Sequence, residues 1–343
     1  MSITHICGTV CIQAKNTFLN GLGNMSEGKE DVSTPKFFIR ENGTKQPYVS
    51  AQCWRRWWRQ SFETMVLPAL EASPVEKKLM GIPLINPSDD LFGYFEANPL
   101  KIDINEVNKR NVSQVRSSPI QITQLHPVQE FGHGKDVGLI KDKAYVHLQE
   151  GTPLPYSSVF YNADLQFMLG IDVARVGFYR NFNDRQEIAD SIAETYIKKG
   201  YLIKSTNGGY QINDAAIIRK ARVLAALEGL LVIHGGAKSA QYGTDITPRL
   251  MLLAGQDGGN PVLSGVLRAG ARTIKIDVDL LLATVKRHAS LFKTPVYCGM
   301  RAGYVENEAE IIARAPSFAV DAGVELVPCS PGMVVKRLAE VAC

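Results

Sequence analysis

Three tryptophans within five residues, interleaved with arginine in Trp54-Arg55-Arg56-Trp57-Trp58-Arg59, constrain this chain more than any other stretch. A fold that accepts the run has to bury the indoles while leaving the guanidiniums an anionic or aqueous neighbour, and an amphipathic helix does both. Ser50 stands where a helix cap is needed, with its hydroxyl expected to take a free amide donor, so the spacing predicts a helix from Ala51 to about Met65. Trp54, Trp58, Phe62 and Met65 then share one stripe. Gln52, Arg55, Arg56 and Arg59 lie to its side and rear, on a solvated face or against an anion. The stretch Asn16 to Lys29, with Asn16, Asn20, Asn24 and three glycines, reads as a polar loop ahead of that helix. Amide side chains and close-approaching backbone N–H groups suit a phosphate backbone, which favours the anionic reading.

The remaining composition sets the frame. At 343 residues the chain can bury a full core, as one large domain or two smaller ones. Apolar residues at 45% and charged residues at 21% are globular values. No run of about 18 apolar residues is present to cross a bilayer and no secretory leader pattern opens the chain, so a soluble cytoplasmic protein is expected. The net charge of +4 is modest, but residues 1–60 hold eight basic side chains against four acidic ones, so the surplus is local to the opening stretch. Of the six cysteines, Cys7 and Cys11 share one face of a probable strand near His5, yet no second close pair completes a metal site. Buried reduced thiols are the expected state.

Taken in order, Ile3 to Ala14 reads as a first strand and Asp89 to Phe95 as a short apolar turn. Residues 97–155 are dominated by polar residues, Gly and Pro, with an arginine-led extended segment from Arg116 to Thr123. They predict a protruding hairpin insertion, with Tyr145 to Leu148 pairing back. Leu165, Phe167 and Leu169 alternate as a core strand, and Ile171 to Phe178 continues as a second β segment. Arg185 to Lys199 and Ala215 to Leu231 are expected helices, the latter capped by Asn213-Asp214, with a hairpin around Asn207-Gly208-Gly209 between them. Arg249 to Ala254 is expected as a final core strand, followed by alternating strand and helix pieces ending in a helix from Met333 to Val341.

Known catalytic motifs are absent. Gly235-Gly236-Ala237-Lys238-Ser239 lacks the glycine that a nucleotide-binding P-loop needs directly before its lysine. It is either a plain tight turn or a turn whose free amides and Lys238 hold a phosphate. Nucleophile elbow, zinc HExxH and dinucleotide fingerprints are missing. His126, His133 and His147 share the polar insertion with Glu130 and Asp136, where they are either solvated or placed for acid–base cleavage of RNA. The constellation is one for binding, with no catalytic residue, metal or cofactor expected.

These residues resemble the backbone subunit of type I CRISPR surveillance complexes (Cascade), in the DevR-like branch of the RAMP superfamily, and in detail the I-B subtype. The resemblance is carried by the strand into the Asn16 to Lys29 stretch, by Tyr48-Val49-Ser50-Ala51-Gln52-Cys53-Trp54-Arg55-Arg56 and by Leu91-Phe92-Gly93. It continues through Arg116-Ser117-Ser118-Pro119 and Gly235-Gly236-Ala237-Lys238. It implies an α+β fold: a modified RRM-like (ferredoxin-like) palm over residues 1–96 and 156–343 with C-terminal embellishments, and a protruding thumb hairpin over 97–155. It also implies copies polymerised as a helical filament along a guide crRNA, bases presented to a target DNA strand, and other Cascade subunits as partners. By position, Asn16, Asn20, Asn24, Gln52, Arg55, Arg56, Arg59, Arg116 and Lys238 match the guide-contacting places of that family. The usual base-stacking aromatics of an RRM sheet are missing from the first strand, which suits a protein gripping sugar and phosphate. The rival expectations are a guide-dependent endoribonuclease acting through Asp136 in the insertion and an autoregulator of duplex DNA, the latter without a helix-turn-helix signature.

Overall fold

A computed structural model describes residues 3–27, 30–41, 43–66, 84, 86–105, 108–128, 140–146, 154–182, 185–206, 208–237 and 243–342, of which 23–27, 30–32, 96–105, 108–113, 140–146, 154–158, 182 and 185 are described by main chain alone. The strands β1 (His5–Thr17), β2 (Gly21–Glu27), β3 (Glu30–Pro35), β4 (Phe37–Ile39) and β5 (Lys45–Pro47) lead into α1 (Ala51–Ser61). Then come α2 (Pro87–Phe92), the long hairpin β6 (Tyr94–Asn105) and β7 (Asn108–Arg116), and the strands β8 (Ile120–Ile122), β9 (His126–Pro127), β10 (Ile140–Val146) and β11 (Leu154–Asp172). Helices α3 (Asp190–Lys198) and α4 (Ala215–Leu231) precede β12 (Leu250–Gln256), α5 (Val278–Arg287), β13 (Val296–Met300), α6 (Glu308–Ala322), β14 (Leu326–Cys329) and α7 (Pro331–Glu340).

The fold is α+β around one large sheet of strand order β2-β3-β11-β1-β12-β13-β14. β1 lies at its centre, antiparallel to β11 from His5↔Asp172 to Ala14↔Ala163 and antiparallel to β12 from His5↔Gln256 to Cys11↔Leu250. Every residue of β12 and β13 is buried, as strands covered on both faces must be. Ile6, Val10 and Ile12 face one core with Met251 and Leu253, closed by Trp54, Trp58, Leu227 and Leu338 from α1, α4 and α7. Cys11, Leu250, Leu252 and Cys298 face the other, closed by Leu281 and Phe318 from α5 and α6. Burial raises the thiols of Cys7, to about 12, and of Cys11 and Cys298, so these cysteines are inert core residues.

Several sequence expectations are corrected. The Asn16 to Lys29 stretch is not a loop throughout: after the turn at residues 18–20, Gly21 to Glu27 pairs with Glu30 to Pro35 on the sheet edge. Within residues 97–155, β8, β9 and β10 all pair with β11. β11 ends at Asp172 and the chain turns through a 3-10 helix at Val173–Arg175 instead of continuing as a strand from Ile171 to Phe178. The helix expected from Arg185 starts at Asp190, residues Arg185–Gln186 forming a short strand. Asp214 precedes α4 with a positive φ of 52° and makes no side-chain cap. β12 is followed by two further sheet strands, so it is not the last. The hairpin Leu202–Lys204 with Tyr210–Ile212 forms where expected, although Asn207 itself lies outside the described residues.

In the C-terminal half the Glu306 carboxylate accepts the backbone N–H groups of Thr273 (2.8 Å), Arg272 (2.5 Å) and Ala271 (3.0 Å), which hold its pKa down at about 2. A carboxyl depressed in the folded state stabilises above its ordinary value, and that contribution disappears as pH falls toward the folded value. Glu306→Gln is therefore expected to lower the urea midpoint at neutral pH. The difference from the parent protein should shrink as pH falls from 4.5 to about 2.

Candidate nucleic-acid interface

Helix α1 buries Trp54, Trp58 and Phe62 as its period requires, Trp54 against Phe167 (5.3 Å between centroids) and Trp58 against Phe92 (5.6 Å). The Trp58 indole also donates to the Ala226 carbonyl at 2.7 Å. Met65 leaves the stripe and is 62% exposed, because the chain passes into a π-helical turn at Phe62–Val66 whose wider step rotates later side chains. Ser50 occupies the cap position without a side-chain cap bond; its own N–H donates to Asn20 Oδ1 at 3.0 Å. Asn20 thus ties the turn after β1 to the helix start, and its carbonyl accepts the Lys36 N–H at 2.7 Å.

A third segment joins them. The Ala237 N–H donates to the Leu19 carbonyl at 2.8 Å, bringing the glycine turn onto the same turn after β1. Gly235 has φ +154° and a Cβ there would sit 2.4 Å from Trp57 Cγ, so only glycine fits between turn and indole. Three of the sequence segments singled out above, distant along the chain, converge on one edge of the molecule. Asn16 is exposed beside it at a β-bulge with φ 45°, its N–H donating to Asn162 Oδ1 at 2.7 Å. Asn24 lies on β2 opposite Ser33. Lys238 lies outside the described residues, as do Glu130, His133, Asp136 and His147.

The arginines divide. Arg56 and Gln52 are exposed on α1. Arg55 is half-buried with its Nη2 donating to the Ile120 carbonyl at 3.2 Å and its buried Nε without a partner among the described residues; burial lowers its pKa. It lines a groove of about 630 Å³ with Gly93, Tyr94, Ser117 and Gln121, and no carboxylate is among the described residues that line it. An under-paired guanidinium in a groove with no acid among its described lining residues is suited to an anion.

Arg59 and Arg116 correct the expectation that they face a ligand. Arg59 donates to Glu63 (2.8 Å), Asp89 (2.8 Å) and the Gly93 carbonyl (3.0 Å), so its charge is already answered. Arg116 is 2% exposed. Its guanidinium is bonded to Asp90, to Glu187 (2.9 Å) and to the carbonyls of Asp90 (2.9 Å), Phe178 (3.0 Å) and Arg175 (2.9 Å). Asp90, fully buried, also accepts from Arg222 and from the Gly177 N–H at 3.0 Å. Sequence reading missed Asp90, Glu187 and Arg222; the available signal was Asp89-Asp90 set directly before Leu91-Phe92, acids that an apolar turn can bury only with cationic partners.

No family model matches the sequence and no curated protein shows significant sequence similarity to it. Solved structures do share its fold. A chain of a CRISPR RNA-guided surveillance complex superposes with a TM-score of 0.52 at 12% identity, over 99% of this chain and 100% of that one. A chain of a complex described as a CRISPR RNA-guided surveillance complex, pre-nicking, gives a TM-score of 0.52 at 10% identity over the same shares. At such identities the likeness is one of fold.

Proposed function

We propose that this chain is a non-catalytic, guide-binding backbone subunit of a type I CRISPR Cascade complex, of the DevR-like RAMP branch and subtype I-B. In this reading an RRM-like palm is formed by residues 1–96 and 156–343, and residues 97–155, including the β6–β7 hairpin, supply the thumb. Copies assemble as a filament along crRNA in the cytoplasm, beside other Cascade subunits, and leave the guide bases to pair with target DNA. The observation that carries the reading is the convergence of the α1 edge, the Asn20 turn and the Gly235–Gly236 turn. The end-to-end fold likeness to chains of surveillance complexes agrees with it. Among the described residues no helix is long and apolar enough to cross a membrane.

The grip expected from Asn16, Gln52, Arg55, Arg56 and exposed backbone amides is on sugar and phosphate, which carries no base preference. Titrating the purified protein with short single-stranded RNAs of unrelated sequence should give equal affinities. The logarithm of the affinity should fall linearly with the logarithm of salt, with a slope of about −0.7 for each phosphate neutralised. A preference for duplex DNA, or an affinity indifferent to salt, would remove the proposal.

A further inference from the structure

Beside the edge just described stands a feature that backbone binding does not use. The small hairpin of β4 and β5 pairs Phe37↔Pro47, Phe38↔Gln46 and Ile39↔Lys45. It is tied to the interface through the Tyr48 N–H, which donates to the Lys36 carbonyl at 3.0 Å, while the Lys36 N–H reaches Asn20. Its half-buried rings each have a cation beside them. Lys45 Nζ is 5.1 Å from the Phe37 centroid and the Arg40 guanidinium 6.0 Å from that of Phe38, which in turn lies 6.3 Å from Tyr48. Ile39 is 64% exposed between them. Across residues 36–48 the only acid is Glu41, against Lys36, Arg40 and Lys45.

We propose that this hairpin is a stacking platform for unpaired bases of single-stranded RNA, extending the backbone grip of α1 and resting on the RNA-binding reading above. A base has an aromatic face for Phe37 or Phe38 to meet, and its phosphate lies within reach of a cation held at the ring. Aromatic rings alone would equally suit a protein partner. The threefold excess of cations over acids in the same hairpin selects a polyanion. The aromatics that an RNA-binding sheet normally displays, missing from β1, are thus supplied from outside the sheet.

The test compares a single-stranded RNA with an abasic ribose-phosphate oligomer of equal length, on the full chain and on Phe37→Leu and Phe37→Tyr. Leucine keeps apolar bulk and removes the ring face; tyrosine keeps both. The parent protein and Phe37→Tyr should bind the base-bearing strand at least about fivefold more tightly than the abasic one, and Phe37→Leu should lose that preference. Equal binding of the two strands by the parent, or a preference retained in Phe37→Leu, overturns the platform and leaves backbone binding standing. A change of oligomeric state in Phe37→Leu with its strand preference intact assigns the surface to a protein contact instead. Failure of the parent to bind either strand overturns both proposals.

Discussion

Asp90→Asn is expected to cost about 3–5 kcal/mol of folding stability, read as a fall in the urea midpoint with the slope unchanged. The carboxylate of Asp90 is fully buried and shared by Arg116 and Arg222, with the Gly177 N–H as a third donor. Burial works against the charge on Arg222, but Asp90 and the Tyr179 hydroxyl outweigh it and hold the guanidinium well above its ordinary pKa. An asparagine of the same size leaves two guanidiniums in one buried site and turns an amide donor toward them. Arg116 keeps Glu187 at 2.9 Å, and Arg222 keeps the Leu84 carbonyl at 2.7 Å and the Tyr179 hydroxyl at 3.2 Å among its partners. A loss below about 1 kcal/mol would show that water or rearrangement answers those charges, contrary to the enclosure of this site.

The contrast between these arginines and the tryptophans of α1 shows what sequence can convey. Trp54, Trp58 and Phe62 were legible because helical period alone decides which way they point. The same holds for Leu165, Phe167 and Leu169 on β11, where a period of two suffices, and for α4, whose bounds match the expected Ala215 to Leu231. Arg59 and Arg116 carry the same local sign as Arg56, yet their partners Asp89, Asp90 and Glu187 arrive from 30, 26 and 71 residues away. No pattern within a window of one element holds that information. The hairpin of β2 and β3 was hidden for another reason: amide side chains and glycines have low strand propensity, and the pairing with β11 that places β3 on the sheet is a tertiary contact. The convergence of Asn20, Ser50 and Gly235 was likewise invisible in the sequence, although each segment stands out by its chemistry.

That division decides which charges test RNA binding. Reversing Arg59 would place a third carboxylate beside Glu63 and Asp89, now stripped of their cation, so a loss of binding in Arg59→Glu would be confounded with a loss of fold. Arg56 is exposed and Arg55 has a single described hydrogen bond, to the Ile120 carbonyl, so their reversal spares the core. Each guanidinium–phosphate pair contributes about 1.5–3 kcal/mol, and Arg55→Glu with Arg56→Glu is expected to weaken single-stranded RNA binding on the order of a hundredfold or more. The salt slope should become shallower by about 0.7 for each phosphate that the variant no longer neutralises. Circular dichroism and the urea midpoint should stay close to those of the parent. Affinity and slope both unchanged in this double variant would mean that the groove beside Arg55 and the cationic edge of α1 answer to something other than a polynucleotide.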